Sequence, residues 1–310
     1  MPRHFLRDDS LSQLEQREVL ALALELKARP FDHQVLKGPR AVAILFDKSS
    51  TRTRVSFSVG VAELGGYPLV IEASSSQIGR GESIEDTARV LDRQCAAIVW
   101  RTFGQERVET MAANSAVPVI NALTDQFHPC QVLADLLTVA EEFGGIGALP
   151  GMRLAYLGDC ANNMAHSYLL AGALAGMDVA LAGPSTHQPD PQILADAKRL
   201  AAAHGGRVSV SDNPLEAITD AAVVTTDAWV SMGMEDQRSQ RQTPFIPYQV
   251  NSALLSQAAS DAIFLHCLPA YRGQEVTAEV IDGPASRVWQ EAENRLHVQK
   301  ALLSWLVEQS

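Results

Sequence analysis

The chain has 310 residues, enough for about two domains. Its 46% apolar and 20% charged content is that of an ordinary globular protein, which excludes a disordered, collagen-like or coiled-coil chain. With 25 Lys plus Arg against 36 Asp plus Glu, the net charge is −11, which argues against nucleic acid or an anionic membrane as partner. An anionic ligand would need its cations gathered locally.

Taken in chain order, short β-branched runs alternate with helical patterns. The first nine residues hold no apolar h-region, so no secretory signal is expected. Ala41–Phe46 reads as a buried strand and Thr53–Leu64 as a helix stopped by Gly65-Gly66. Strand Pro68–Glu72, helix Ser83–Arg93 with a capping-box-like start, strand Ala97–Arg101, helix Glu106–Asn114, strand Val117–Asn121 and helix Pro129–Phe143 follow. The stretch from Gly144 to Gly151 is the richest in Gly and Pro and is the expected domain boundary.

Beyond that boundary the alternation restarts. Strand Arg153–Leu157, helix Asn162–Ala175, strand Asp178–Ala182, helix Pro191–Ala203 and strands Arg207–Val210, Ala222–Thr226 and Ala262–His266 lead to an amphipathic helix, Ala285–Glu308, carrying Trp289, Leu296, Leu302, Leu303 and Leu306. The uncharged run from Cys160 to Met177 reads as a helix buried in the core, with no membrane span expected. Cys95, Cys130, Cys160 and Cys267 lie far apart with no Cys-x-x-Cys, which suits reduced thiols in a cytoplasmic protein. The expected fold class is α/β, with two domains each built on a parallel sheet flanked by helices.

In open parallel sheets, ligands sit at the carboxyl ends of the strands. The polar clusters fall at those positions, which points to one cleft between two domains. Ser50-Thr51-Arg52-Thr53-Arg54 follows a strand and opens a helix, where amide N–H groups, hydroxyls and a guanidinium suit phosphate; a solvated cap is the plain alternative. His128-Pro129-Cys130-Gln131 also opens a helix. There His128 either caps the chain or donates to a developing oxyanion, Gln131 suits an amide, and Cys130 is a buried spacer. Arg101 either marks the chain leaving the core or aims a second guanidinium at the cleft.

Gly158-Asp159-Cys160-Ala161-Asn162-Asn163 lacks the G-x-G-x-x-G pattern, so no dinucleotide fingerprint is present, and Asn162 and Asn163 either cap the helix or bind a polar ligand. Asp227, ahead of Ser231-Met232-Gly233, suits an ammonium group. Cys267, beside His266 at a strand's carboxyl end, is a candidate nucleophile or a small buried hydrophobe.

Together these clusters resemble the aspartate/ornithine carbamoyltransferase family, collinearly from the N-terminal region to Glu291-Ala292-Glu293-Asn294-Arg295. Ser50–Arg54 and His128–Gln131 are similar to its two carbamoyl-phosphate motifs. Asp227 with Ser231-Met232-Gly233, and His266-Cys267-Leu268-Pro269, are similar to the pair marking its ornithine branch. The resemblance implies a carbamoyl-phosphate domain at 1–143 joined by a C-terminal helix, 285–310, packing back on it, and an ornithine domain at 152–284. It implies that Ser50, Thr51, Arg52, Thr53 and Arg101 hold the phosphate, and that Gln77 reaches a neighbouring subunit's site. Arg101, His128 and Thr53 would polarise the carbamoyl oxygen and Gln131 would hold its amide. Cys267, Leu268 and Arg295 would complete that site. Asn163, Asp227, Ser231 and Met232 would bind ornithine, with Cys267 near the reacting amine. No metal or organic cofactor and a homotrimer, or multiples of it, are further implications. The family often has Gly where Cys160 stands, so strain is expected there if the turn needs positive φ.

Overall fold

The computed structural model describes residues 2–72, 77, 81–229 and 242–310. The chain forms two compact units, Met1–Leu137 with Glu293–Ser310, and Thr138–Ala292. The elements in chain order are α1 (Gln13–Ala28), β1 (Ala41–Phe46), α2 (Thr51–Glu63), β2 (Tyr67–Glu72), α3 (Ile84–Leu91), β3 (Ala97–Arg101), α4 (Gln105–Ala113), β4 (Val119–Leu123), α5 (Pro129–Glu142), β5 (Arg153–Leu157), α6 (Asn163–Leu174), β6 (Asp178–Ala182), α7 (Pro191–His204), β7 (Arg207–Ser211), α8 (Pro214–Ile218), β8 (Val223–Thr225), α9 (Ser252–Leu255), β9 (Ile263–Leu265), α10 (Ala278–Ile281) and α11 (Val288–Glu308). Both unit divisions fall inside helices, α5 and α11.

Each unit holds one all-parallel sheet. In the first unit the strand order is β2-β1-β3-β4, and in the second β7-β6-β5-β8-β9. The order reverses between β1 and β3 in one sheet and between β5 and β8 in the other. At such a reversal the crossovers leave toward opposite faces and open a crevice beyond the carboxyl ends. Strands β1 and β3 bury nearly every residue, as a sheet covered on both faces requires. Ala43, Leu45, Ile98 and Trp100 pack against Ala88 and Leu91 of α3 and Val108 and Met111 of α4. The second core joins Ala155, Leu157, Ala180, Val224 and Phe264 to Ile218, Val280 and Ile281.

Helix α1 has no counterpart among the elements predicted from sequence. Its signal is local: the Ser12 hydroxyl accepts from the Glu15 N–H, and the Glu15 carboxylate accepts from the Ser12 N–H at 2.7 Å. Strand β4 lies two residues beyond the predicted Val117–Asn121, because Pro118 brings no N–H to the ladder and the segment before it is held in a turn by Ser115. Helix α2 starts at Thr51, two residues early, because Ser50 caps it. Helix α6 buries every residue from Met164 to Leu174, as the uncharged run implied.

The amphipathic reading of the last helix needs correction. Trp289 is 64% exposed, whereas residues 297–307 are all buried. From Glu293 onward α11 packs on the first unit. Asn294 accepts from Lys27 Nζ at 2.8 Å, Trp305 donates to Glu18 at 3.2 Å, and buried Lys300 is held by Glu63 and the carbonyls of Leu26 and Pro30. The polar groups of Asn294, Lys300 and Trp305 are therefore satisfied by protein rather than by water. Among the described residues no helix is long and apolar enough to cross a membrane.

Candidate functional site

In the first unit the site is built on the carboxyl ends of β1, β3 and β4. Ser50 sits in extended backbone and caps α2. Its hydroxyl accepts from the Thr53 N–H at 3.3 Å and bonds the Thr53 hydroxyl at 3.1 Å. Thr51 and Arg52 thereby occupy the first helical turn, where the backbone N–H groups and the helix dipole favour an anion. The Asp47 N–H bonds the Arg101 carbonyl at 2.9 Å, tying the ends of β1 and β3 together. The Asp47 carboxylate accepts from Thr102 Oγ1 at 2.5 Å and from Arg107 at 3.1 Å, while the Arg107 guanidinium lies over the Trp100 ring. These supporting residues escaped the sequence reading, since nothing in their local spacing announces a contact across 60 residues.

His128 precedes α5 and is buried. Burial, reinforced by the guanidiniums of Arg295, Arg101 and Arg52, holds its imidazole well below the usual histidine range. The side chain is therefore neutral at physiological pH. The structure thus gathers three of the predicted cations around the predicted imidazole. Arg295 Nη1 donates to Gln131 Oε1 at 2.6 Å and Nη2 donates to Thr53 Oγ1 at 3.1 Å, across more than 160 and 240 residues of sequence. Gln131 Nε2 in turn donates to Asp135 at 2.8 Å. Cys130 points to the Asn121 carbonyl, and burial pushes its thiol up to about 12, as befits a spacer. Gln77 is exposed, and Ser74–Ser76 lie outside the described residues.

The neutral state of His128 carries a stability consequence. The unfolded chain binds a proton below about pH 6.5 that the folded chain refuses, so stability is full above that pH and declines as pH falls. The melting temperature of the protein should drop more steeply from pH 6.5 to 5 than that of His128→Gln. Parallel curves would contradict the electrostatic assignment.

In the second unit the groups follow β5, β8 and β9. Asn162 caps α6 through the Ala165 N–H at 2.9 Å, and Asn163 is the first residue of that helix. Asn162 Nδ2 also donates to the Tyr156 hydroxyl at 2.9 Å and to Asp227 Oδ2 at 3.3 Å. Asp227 Oδ1 accepts from the Ala228 N–H at 2.7 Å and from Cys267 Sγ at 3.3 Å. Burial raises the Asp227 carboxyl above its ordinary value, with His266 and these donors opposing and Glu275 reinforcing the rise. A partly buried carboxylate held in this way is short of positive charge, and a ligand ammonium would supply it. Ser231 and Met232 lie outside the described residues.

The loop after β9 is fixed from behind. His266 Nδ1 accepts from the Leu268 N–H at 2.9 Å, so its proton sits on Nε2, 3.3 Å from the buried Glu275 carboxylate. Glu275 also accepts from the Tyr271 N–H at 2.6 Å. Leu268 adopts φ +55°, a left-handed conformation that costs a non-glycine residue and persists because these bonds over-determine it. Asp227, His266 and Cys267 bring one ligand atom each within 4.8 Å of one another.

The strain expected at Cys160 is absent, since the positive φ belongs to Gly158 at +131°. The Cys160 thiol is fully buried, its pKa raised by burial, and it sits where a Cβ on Gly183 would come within 2.8 Å. The missing side chain at Gly183 makes that room. All four cysteines are unbridged.

With this geometry in place, comparison with known proteins gives a consistent result. The family model described as the aspartate/ornithine carbamoyltransferase carbamoyl-P binding domain matches residues 3–141, and that of the family's Asp/Orn binding domain matches 150–306. An ornithine carbamoyltransferase of Bifidobacterium longum subsp. infantis is 62% identical over 304 residues, 98% of this chain and 95% of that protein. One from Clavibacter sepedonicus is 59% identical over the whole of both chains. Among solved structures, the ornithine carbamoyltransferase of Pyrococcus furiosus superposes with a TM-score of 0.92 at 44% identity, covering 97% of this chain and 96% of that one. The anabolic enzyme of Campylobacter jejuni gives 0.93 at 37% identity, covering 99% and 100%.

Proposed function

We propose that this chain, which belongs to the aspartate/ornithine carbamoyltransferase family, transfers the carbamoyl group of carbamoyl phosphate to the δ-amine of L-ornithine, giving L-citrulline and phosphate. The observation that carries the reading is the grouping of Arg52, Arg101 and Arg295 about a neutral His128 at the switch point of the first sheet. Three fixed cations match a phosphate dianion, and a neutral imidazole donates to a carbonyl oxygen without protonating it.

The chemistry follows from the groups present. The δ-nitrogen attacks the carbamoyl carbon, the bond from that carbon to the phosphate oxygen breaks, and the amine loses a proton. Carbamoyl phosphate is already an activated acyl donor, so no covalent enzyme intermediate is needed. Catalysis then consists of positioning and of stabilising charge on the carbamoyl oxygen and leaving phosphate. In this reading Ser50, Thr51, Arg52, Thr53, Arg101 and Arg295 grip the phosphate. Arg101, His128 and Thr53 polarise the oxygen, and Gln131 holds the carbamoyl amide. Cys267 and the Leu268 backbone complete the site. Asp227 pairs with the α-ammonium of ornithine, with Asn163, Ser231 and Met232 holding the rest of its amino-acid end. The free amine has a pKa of about 10.4, so the reactive neutral form grows with pH below that value.

The deciding experiment supplies carbamoyl phosphate with ornithine, aspartate, N-acetylornithine or putrescine and measures carbamoylated product. Citrulline from ornithine is the expected dominant product. Preference for another amine would move the chain within the family, and no transfer to any amine would remove the activity.

The assembly is a homotrimer in this reading, acting in the cytoplasm in arginine biosynthesis, with Gln77 supplied to a neighbouring subunit. Its support is an apolar face left open on the first unit. Val55 and Val59 lie one turn apart on α2, Tyr67 and Leu69 lie on edge strand β2, which α2 contacts, and each of the four is at least 36% exposed. Sedimentation should give three times the chain mass, and Val59→Glu should dissociate the trimer and abolish activity together. A fully active monomer would refute the assignment.

A further inference from the structure

Arg295 is held by more than the two partners described above. Four residues further along the same helix, Gln299 is 1% exposed and faces it. One orientation of the Gln299 amide satisfies both of its ends. Its oxygen accepts from Arg295 Nε at 2.9 Å and Nη2 at 3.0 Å, and its nitrogen donates to Ser56 Oγ at 2.6 Å. Ser56 Oγ then donates to the Arg52 carbonyl at 2.9 Å. A continuous chain of hydrogen bonds thus runs from the Arg295 guanidinium to the backbone of the α2 first turn.

We propose that Gln299 is a positioning residue for carbamoyl-phosphate binding: it orients the Arg295 guanidinium and, through Ser56, locks it to the turn that carries Arg52. The inference rests on the functional reading given above and names a residue that the reading does not use.

Two features make the role specific. The first is geometric. Gln299 grips the Nε–Nη2 edge, Gln131 takes Nη1 and Thr53 takes Nη2, so the plane of the guanidinium is fixed from three sides. All four residues are at least 97% buried, so water does not replace a lost acceptor there. The second is electrostatic. A glutamate at 299 would make a stronger, charge-assisted pair with Arg295 but would cancel its charge. A neutral amide fixes the guanidinium and leaves its positive charge for the phosphate. The cation is in place before the ligand arrives, which reduces the ordering cost of binding.

The test is a kinetic comparison on the full-length enzyme. Gln299→Met removes all three of these hydrogen bonds at nearly constant volume. The KM for carbamoyl phosphate and the Ki for inorganic phosphate should both rise about tenfold, with kcat and the KM for ornithine within about twofold. Ser56→Ala, which keeps the Gln299–Arg295 bonds but removes the hydroxyl that joins Gln299 to the α2 first turn, should move the same two constants in the same direction by a smaller factor. In an Arg295→Met background Gln299→Met should cost nothing further in kcat/KM for carbamoyl phosphate, because its partner is gone. An unchanged phosphate affinity in Gln299→Met, or an equal loss in the Arg295→Met background, would overturn the proposal. Should Gln299→Met not fold, Gln299→Glu keeps the acceptors and should still weaken phosphate binding through charge, and retention of wild-type affinity there would overturn it equally. Absence of citrulline formation by the unmodified protein would instead sink the functional reading, so the two failures are separable.

Discussion

Truncating Arg52 to alanine should lower kcat/KM for carbamoyl phosphate by about two to three decades, and His128→Ala should do the same. The two side chains act on one charge distribution. His128 is buried with Arg295, Arg101 and Arg52 bearing on it, and together they hold it neutral. In the proposed reading, loss of Arg52 removes one of three cations that grip the phosphate. In the same reading, loss of His128 removes an uncharged donor to the carbamoyl oxygen, where negative charge grows as the amine adds. Neither residue is part of the apolar core, so the proteins should fold. Steady-state kinetics with both substrates varied measures the effect. Turnover within threefold of wild type in either variant would dismiss the assigned role. Arg52→Lys should recover only part of the loss, since an ammonium cannot reproduce the planar fork of a guanidinium.

Asp227→Asn should lower kcat/KM for ornithine by about two decades while leaving the KM for carbamoyl phosphate within about twofold. The Asp227 carboxylate accepts from Ala228, Asn162 and Cys267, and burial raises its pKa. Keeping the charge therefore costs the folded protein stability, which a ligand ammonium recovers on binding. An asparagine accepts from Ala228 and Cys267 but turns its NH₂ toward the Asn162 NH₂ or gives up one of those bonds. The variant loses the charge that the proposed reading pairs with the ornithine ammonium, yet it is relieved of a partly desolvated ion, so its melting temperature should not fall. An equal loss for both substrates, or a marked drop in melting temperature, would show Asp227 to be structural.

Where the site was legible in sequence, the reason is local. An N-cap, a strand end and a helix start are set by neighbouring residues, so Ser50–Arg54, His128–Gln131 and Asn162–Asn163 could be placed beforehand at strand-to-helix turns, and the structure puts them there. The capping box at Ser12 and Glu15 was equally local and marks a helix that the pattern of apolar residues alone leaves unnoticed. The reach of Asp47 to Arg107, of His266 to Glu275 and of Arg295 to Gln131 was not legible: the first depends on β1 lying beside β3, the second on how the loop after β9 folds back, and the third on where the last helix docks.

By itself the amino-acid order determined the alternation of strands and helices, the parallel α/β class and the strand ends at which polar groups collect, since these follow from short-range periodicity and backbone preference. Only the tertiary structure decided the strand orders β2-β1-β3-β4 and β7-β6-β5-β8-β9, the burial of the last helix from residue 297 to 307, and the partners of Arg295. Those are choices among distant segments. They are settled by which surfaces can be desolvated together, and no window of neighbouring residues contains that information.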